Sequence, residues 1–79
     1  MTEDKKQTFP HAFGRAVIFY REQKGWKQYA LAKAAGRQVS EVKRIEEARN
    51  SPRVETIIWV AEAFGIQPGD LFFKMMEYM

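Results

Sequence analysis

The sequence predicts an all-α domain of five short helices, and three observations predict it. Apolar residues recur at three- and four-residue spacing in five separate segments. Glycine, proline or asparagine stands at each break between them. No stretch alternates apolar and polar residues as a half-buried strand would, and there is no repeat or low-complexity segment. A chain of 79 residues has room for one domain with one core.

Residues 1–7 are polar and charged without periodicity and are expected to form a flexible tail, leaving 8–79 as the folded domain. Thr8 can cap a first helix with Pro10 in its opening turn and Phe13, Val17 and Tyr20 along one stripe, stopped by Gly25. A second helix of about two turns follows Trp26, carries Leu31, Ala32 and Ala35, and ends at Gly36 as a left-handed C-cap. The third starts near Gln38, runs through Val42 and Ile45 to about Glu47, and breaks in the turn Ala48-Arg49-Asn50-Ser51-Pro52. The fourth spans Val54 to Phe64 with Ile57, Val60, Ala61 and Phe64 on one face, before Gly65. Pro68 opens a fifth. Its Leu71, Phe72, Phe73, Met75, Met76, Tyr78 and Met79 exceed what one core-facing stripe requires, so a covering surface is expected.

Charge is unevenly distributed. Between Arg21 and Arg53 stand nine basic and four acidic residues, a local +5, so the remainder sums to −2 within the overall +3. A basic middle is the electrostatic footprint of a nucleic-acid-binding face. Lys27 to Glu47 contains two short helices joined by a tight turn at Gly36, with the second free to enter a major groove.

From Phe13 to Phe72 the chain resembles the XRE-type family of helix-turn-helix domains, the phage-repressor and Cro-like proteins. The matching elements are Arg21, Gly25, Gln28, Leu31-Ala32, Gly36, Ile45-Glu46, Pro52, Ala61, Gly65-Ile66 and Leu71. The resemblance implies a lambda-repressor-like fold and sequence-specific binding of double-stranded DNA as a transcriptional regulator, either a repressor or a controller protein. It also implies a structural salt bridge between Arg21 and Glu46, and a phosphate-bracing role for Gln28. With Val42 and Ile45 facing inward, Gln38, Val39, Ser40, Lys43 and Arg44 become the base-reading candidates. Arg44 suits guanine, Gln38 adenine and Val39 a thymine methyl, while Lys43 can reach a phosphate instead. Lys27, Arg37, Arg49, Asn50 and Arg53 join Gln28 as phosphate candidates.

The chain departs from the family pattern at three helix starts, where Lys27, Gln38 and Arg53 replace serine or threonine. Two of these are cations that oppose the helix dipole, so a monomer of reduced stability is expected unless a neighbour such as Ser51 caps instead. Ala48 stands where a glycine is common. Ile18, Phe19 and Trp59 are apolar at positions the family usually keeps polar. Family members dimerise around helices four and five, which nominates Trp59, Phe72, Phe73, Met75, Met76 and Met79 for a homodimer interface on a C-terminal dimerisation helix.

Enzymatic chemistry is not expected: one histidine, no cysteine and two serines assemble no triad, metal cluster or cofactor site. Glu46 and Glu47 point to different helix faces. No apolar run approaches the roughly 20 residues that span a bilayer, and the first residues carry no signal-like apolar region, so a cytoplasmic protein is expected. The alternative function is an antitoxin-like interaction module masking a protein partner, such as a toxin, through its apolar last helix.

Overall fold

The computed structural model describes residues 8–79; the expected tail, 1–7, lies outside them. Five helices follow in order: α1 Phe9–Gln23, α2 Gln28–Ala35, α3 Val39–Glu46, α4 Val54–Phe64 and α5 Pro68–Met76. Among the described residues none is in a strand, as the periodicity predicts. Trp26 falls in the α1–α2 turn, stacked near Phe64 at 6.0 Å between ring centroids. Gln38 stands at the N-cap position of α3, and α5 stops three residues before the end of the chain.

The core draws on every helix. Helix α1 contributes Phe13, Ala16 and Val17, α2 Leu31, α3 Val42, α4 Val60 and Phe64, and α5 Leu71 and Met75. Helix α1 packs on α5 and α3, α4 packs on α2 and α5, and α2 packs on α3. The eight-residue α3 therefore lies across both α1 and α2, with only one side inward. Among the described residues no helix is long and apolar enough to cross a membrane.

Four helix ends share one device. The backbone N–H at the end of the turn reaches back five residues: Trp26 to Arg21, Arg37 to Ala32, Arg49 to Arg44 and Ile66 to Ala61. Each such turn requires a left-handed residue. Gly25, Gly36 and Gly65 supply it in three, and Ala48, at φ 58°, supplies it after α3. A Cβ makes that conformation costly, about 1–2 kcal/mol. Ala48→Gly is therefore expected to stabilise the fold by about 1 kcal/mol, after subtracting glycine's own entropy cost. In a thermal melt the midpoint rises by roughly 4–8 °C; an unchanged or lower midpoint contradicts the strain assigned to this turn.

Candidate nucleic-acid interface

Helix α3 is anchored before it is displayed. Val42 is fully buried, and Ile45 packs half-buried against the core. At its last turn Glu46 reaches back between α1 and α2. Its Oε2 accepts from Arg21 Nε at 2.7 Å, and its Oε1 accepts from Arg21 Nη2 at 3.1 Å and from Gln28 Nε2 at 2.8 Å. Arg21 also donates from Nη1 to the Trp26 carbonyl at 2.8 Å. The side chains are 15% and 5% exposed for Arg21 and Glu46, so the pair is largely withdrawn from water. The hydrogen bond to Glu46 raises the Arg21 pKa, outweighing the opposing effect of burial. A raised pKa on a base contributes stability that is lost only as pH climbs through it, and here that window lies above the normal arginine value. Arg21 therefore stays charged at every working pH.

Gly14 brings α3 closer still. A Cβ built on it would stand 2.7 Å from the Ile45 carbonyl oxygen and 3.1 Å from that of Glu46. The backbone of α1 thus touches the C-terminal turn of α3 directly. Sequence reasoning missed this residue, although a glycine between Phe13 and Arg15 in mid-helix is the one available signal.

The opposite side of α3 is open. Ser40, Lys43 and Arg44 are exposed, as is the cap residue Gln38. Val39 differs from the expectation: it is half-buried and packed against the core, at the first position of a helix that packs on both α1 and α2. Only part of its side chain remains available to a base. Ser40, Lys43, Arg44 and Arg49 border one shallow concavity, and Arg49 is paired there with Glu47 at 2.9 Å. Such exposed pairs are worth little and are readily exchanged for another anion.

A second cleft lies between α3 and α4, bordered by Arg37, Arg44, Asn50, Arg53 and Trp59. Thus three of the phosphate candidates gather on one edge of α3. Lys27 is exposed at the N-cap of α2, next to Gln28, whose amide retains one N–H after bonding Glu46.

The expected lack of side-chain caps at three helix starts is present in the geometry. Lys27, Gln38 and Arg53 stand at the N-caps of α2, α3 and α4, none makes a side-chain capping bond, and Ser51 does not substitute. By contrast Asp70 Oδ2 accepts the Gln67 backbone N–H at 3.0 Å at the start of α5. Arg53→Ser is expected to stabilise the free protein by about 1 kcal/mol in chemical denaturation. If Arg53 meets a phosphate, the same change makes the log–log salt dependence of DNA affinity shallower by about 0.9. A gain in stability with no change in that slope removes Arg53 from the interface.

The apolar surplus on α5 divides in two. Met75, nominated for an interface, is 1% exposed and belongs to the core, because it follows Leu71 by four residues on the inward face. Phe72, Met76 and Met79 form an outward stripe with Phe73 beside it, which is 74% exposed. Trp59 is half-buried, and the Arg37 guanidinium lies over its ring, so it belongs to the α3–α4 cleft instead of this stripe. Phe19 is half-buried, covered by Lys74 Nζ at 3.7 Å from its centroid. Tyr29, Val54 and Ile58 are exposed apolar residues that the sequence pattern did not single out.

Two short helices meeting across a left-handed glycine, the second displaying a basic outward face, define a helix-turn-helix domain. The helix-turn-helix family model matches residues 18–71, and the chain belongs to that family, in its XRE-type branch. The fold is shared with the clp gene regulator ClgR from C. glutamicum, at TM-score 0.86 and 23% identity, covering 94% of this chain and 96% of that one. A second ClgR structure, from Corynebacterium glutamicum, matches at TM-score 0.83 and 22% identity over 91% of this chain and 77% of that one. The hypothetical transcription factor NHTF from Neisseria is similar at TM-score 0.79 and 24% identity, covering 92% and 87% respectively. Among curated proteins none matches the chain.

Proposed function

We propose that the protein is a DNA-binding transcriptional regulator, a repressor or controller protein that inserts α3 into the major groove of an inverted-repeat operator as a homodimer. The observation that carries this reading is the division of α3, in a chain that belongs to the helix-turn-helix family. Val42, Ile45 and Glu46 hold it, while Ser40, Lys43 and Arg44 face outward together. The major groove, about 12 Å wide, admits such a helix. Ser40, Lys43 and Arg44 read base edges with Gln38 and the exposed part of Val39. Lys27, Gln28, Arg37, Arg49, Asn50 and Arg53 meet phosphates on either side.

The homodimer is supported by the four large apolar side chains left exposed between Phe72 and Met79, since exposed apolar residues gathered on one short segment suggest an interface. Two-fold symmetry would set two α3 helices about 34 Å apart, matching half-sites one helical turn apart.

Selection from a random duplex pool, with the winning site titrated at several salt concentrations, tests the reading. An inverted repeat and a steep salt slope support it; weak, sequence-indifferent binding overturns it. Arg44→Ala is expected to lose about 1–3 kcal/mol of discrimination at one base pair per half-site, with other positions unaffected. Sedimentation across a range of concentrations tests the dimer. A chain that stays monomeric throughout, its α5 stripe bare, favours instead an antitoxin-like role in which that stripe masks a toxin.

A further inference from the structure

The one aromatic ring bordering the α3–α4 cleft carries a cation. The Arg37 guanidinium carbon lies 4.8 Å from the centroid of the Trp59 ring, and Arg37 Nη1 stands 3.6 Å from Glu41 Oε1 on the first turn of α3. Arg37 is in the turn between α2 and α3, whereas Trp59 is on α4, so the stack joins the helix-turn-helix to the helix behind it. Trp59 is half-buried and packed on the core, which fixes its ring; Arg37 remains 43% exposed. A guanidinium is planar and weakly hydrated, and lies flat on an indole while keeping its edge N–H groups free to donate.

We infer that Trp59 is a positioning residue: its indole is the platform that lays Arg37 beside the recognition helix with its donating edge turned to a DNA phosphate, and Glu41 braces the other side. An unsupported arginine at an exposed turn samples many rotamers and must be ordered on binding. The platform supplies that order beforehand. This inference rests on the DNA-binding reading above.

The stack is tested first without DNA. In nitrogen-edited NMR of the full chain, the Arg37 Nε–H is expected to be shielded by the indole and to return to its ordinary position in Trp59→Leu. DNA affinity is then titrated against salt on the selected duplex, at concentrations where sedimentation matches wild type. Trp59→Leu is expected to weaken binding about two- to fivefold, the range of an exposed cation–aromatic contact. Its salt slope falls toward that of Arg37→Gln, about 0.9 shallower than wild type, and adding Trp59→Leu to Arg37→Gln costs nothing further. Trp59→Phe restores the slope. Arg37→Lys keeps the charge and the slope but weakens binding, an arm that holds even where Trp59→Leu fails to fold. Full additivity of the Trp59→Leu and Arg37→Gln effects, or an unshielded Nε–H, overturns the inference while leaving DNA binding intact. A wild-type chain with no salt-dependent duplex binding overturns both.

Discussion

Glu46→Ala is expected to be the most damaging single change in the protein. It removes the one carboxylate that accepts from Arg21 Nε, Arg21 Nη2 and Gln28 Nε2, and leaves a guanidinium that is only 15% exposed without its anion. Breaking a buried pair from one side costs about 3–5 kcal/mol, because the abandoned charge keeps its desolvation penalty. Domains of this size hold roughly 0.05–0.15 kcal/mol per residue in total, so the loss consumes a large share of the margin. A urea titration should show the midpoint collapsing, with much of the chain unfolded near 37 °C. Glu46→Gln keeps an acceptor of the same shape and is expected to lose less. A midpoint for Glu46→Ala within the range of ordinary surface substitutions, about 0.5 kcal/mol, refutes the network's structural weight.

Gly14→Ala ranks second, and its mechanism is steric. The new methyl would meet the Ile45 carbonyl oxygen at 2.7 Å, and the obstructing atom is backbone that no rotamer change can move. Overpacking of this sort costs about 1–3 kcal/mol and occasionally more. Against that stands the usual gain of about 1 kcal/mol from replacing an interior helical glycine. Because the obstacle is backbone, the cost falls at the upper end, about 3 kcal/mol, and the net expectation is destabilisation of about 2 kcal/mol, with the C-terminal turn of α3 pushed away from α1. Since α3 carries the proposed reading face, operator affinity should fall further than the loss of folded protein accounts for. A Gly14→Ala protein as stable as wild type or more so shows that the close approach does not exist.

The two residues differ sharply in how visible they were beforehand. Arg21 and Glu46 were marked by resemblance to a family that pairs them, and both flank apolar positions that must turn inward. Gly14 had no such mark. Its function is a contact with residues 45 and 46, some thirty positions away, and helix propensity says only that a glycine there is unfavourable. The helix ends were legible at Gly25, Gly36 and Gly65 because the reversing turn needs a left-handed residue that glycine supplies without strain. Ala48 adopts the same turn against its preference, so only the missing glycine hinted at it.

On α5 the pattern was ambiguous because both faces are apolar. Period alone cannot tell Met75, which follows Leu71 into the core, from Met76, which follows Phe72 outward. Helix start positions were readable to within a residue or two, but the phase of Val39 was not. Its half-burial depends on how α3 packs on the helices around it, which is a tertiary relation. The Arg37–Trp59 stack was illegible for the same reason: two residues chosen for different roles meet only after α4 folds back across the turn.

The partition of α3 has a consequence for how new regulators arise from this one. Besides the half-buried Val39, the side chains that fasten the helix are Val42, Ile45 and Glu46, and none of those three is offered to solvent as a reading group. Positions 40, 43 and 44 can therefore be exchanged in concert while the scaffold keeps its melting behaviour. On the proposed reading of these positions, the domain is a holder with a replaceable tip, whose operator preference can drift without repeatedly crossing a folding threshold.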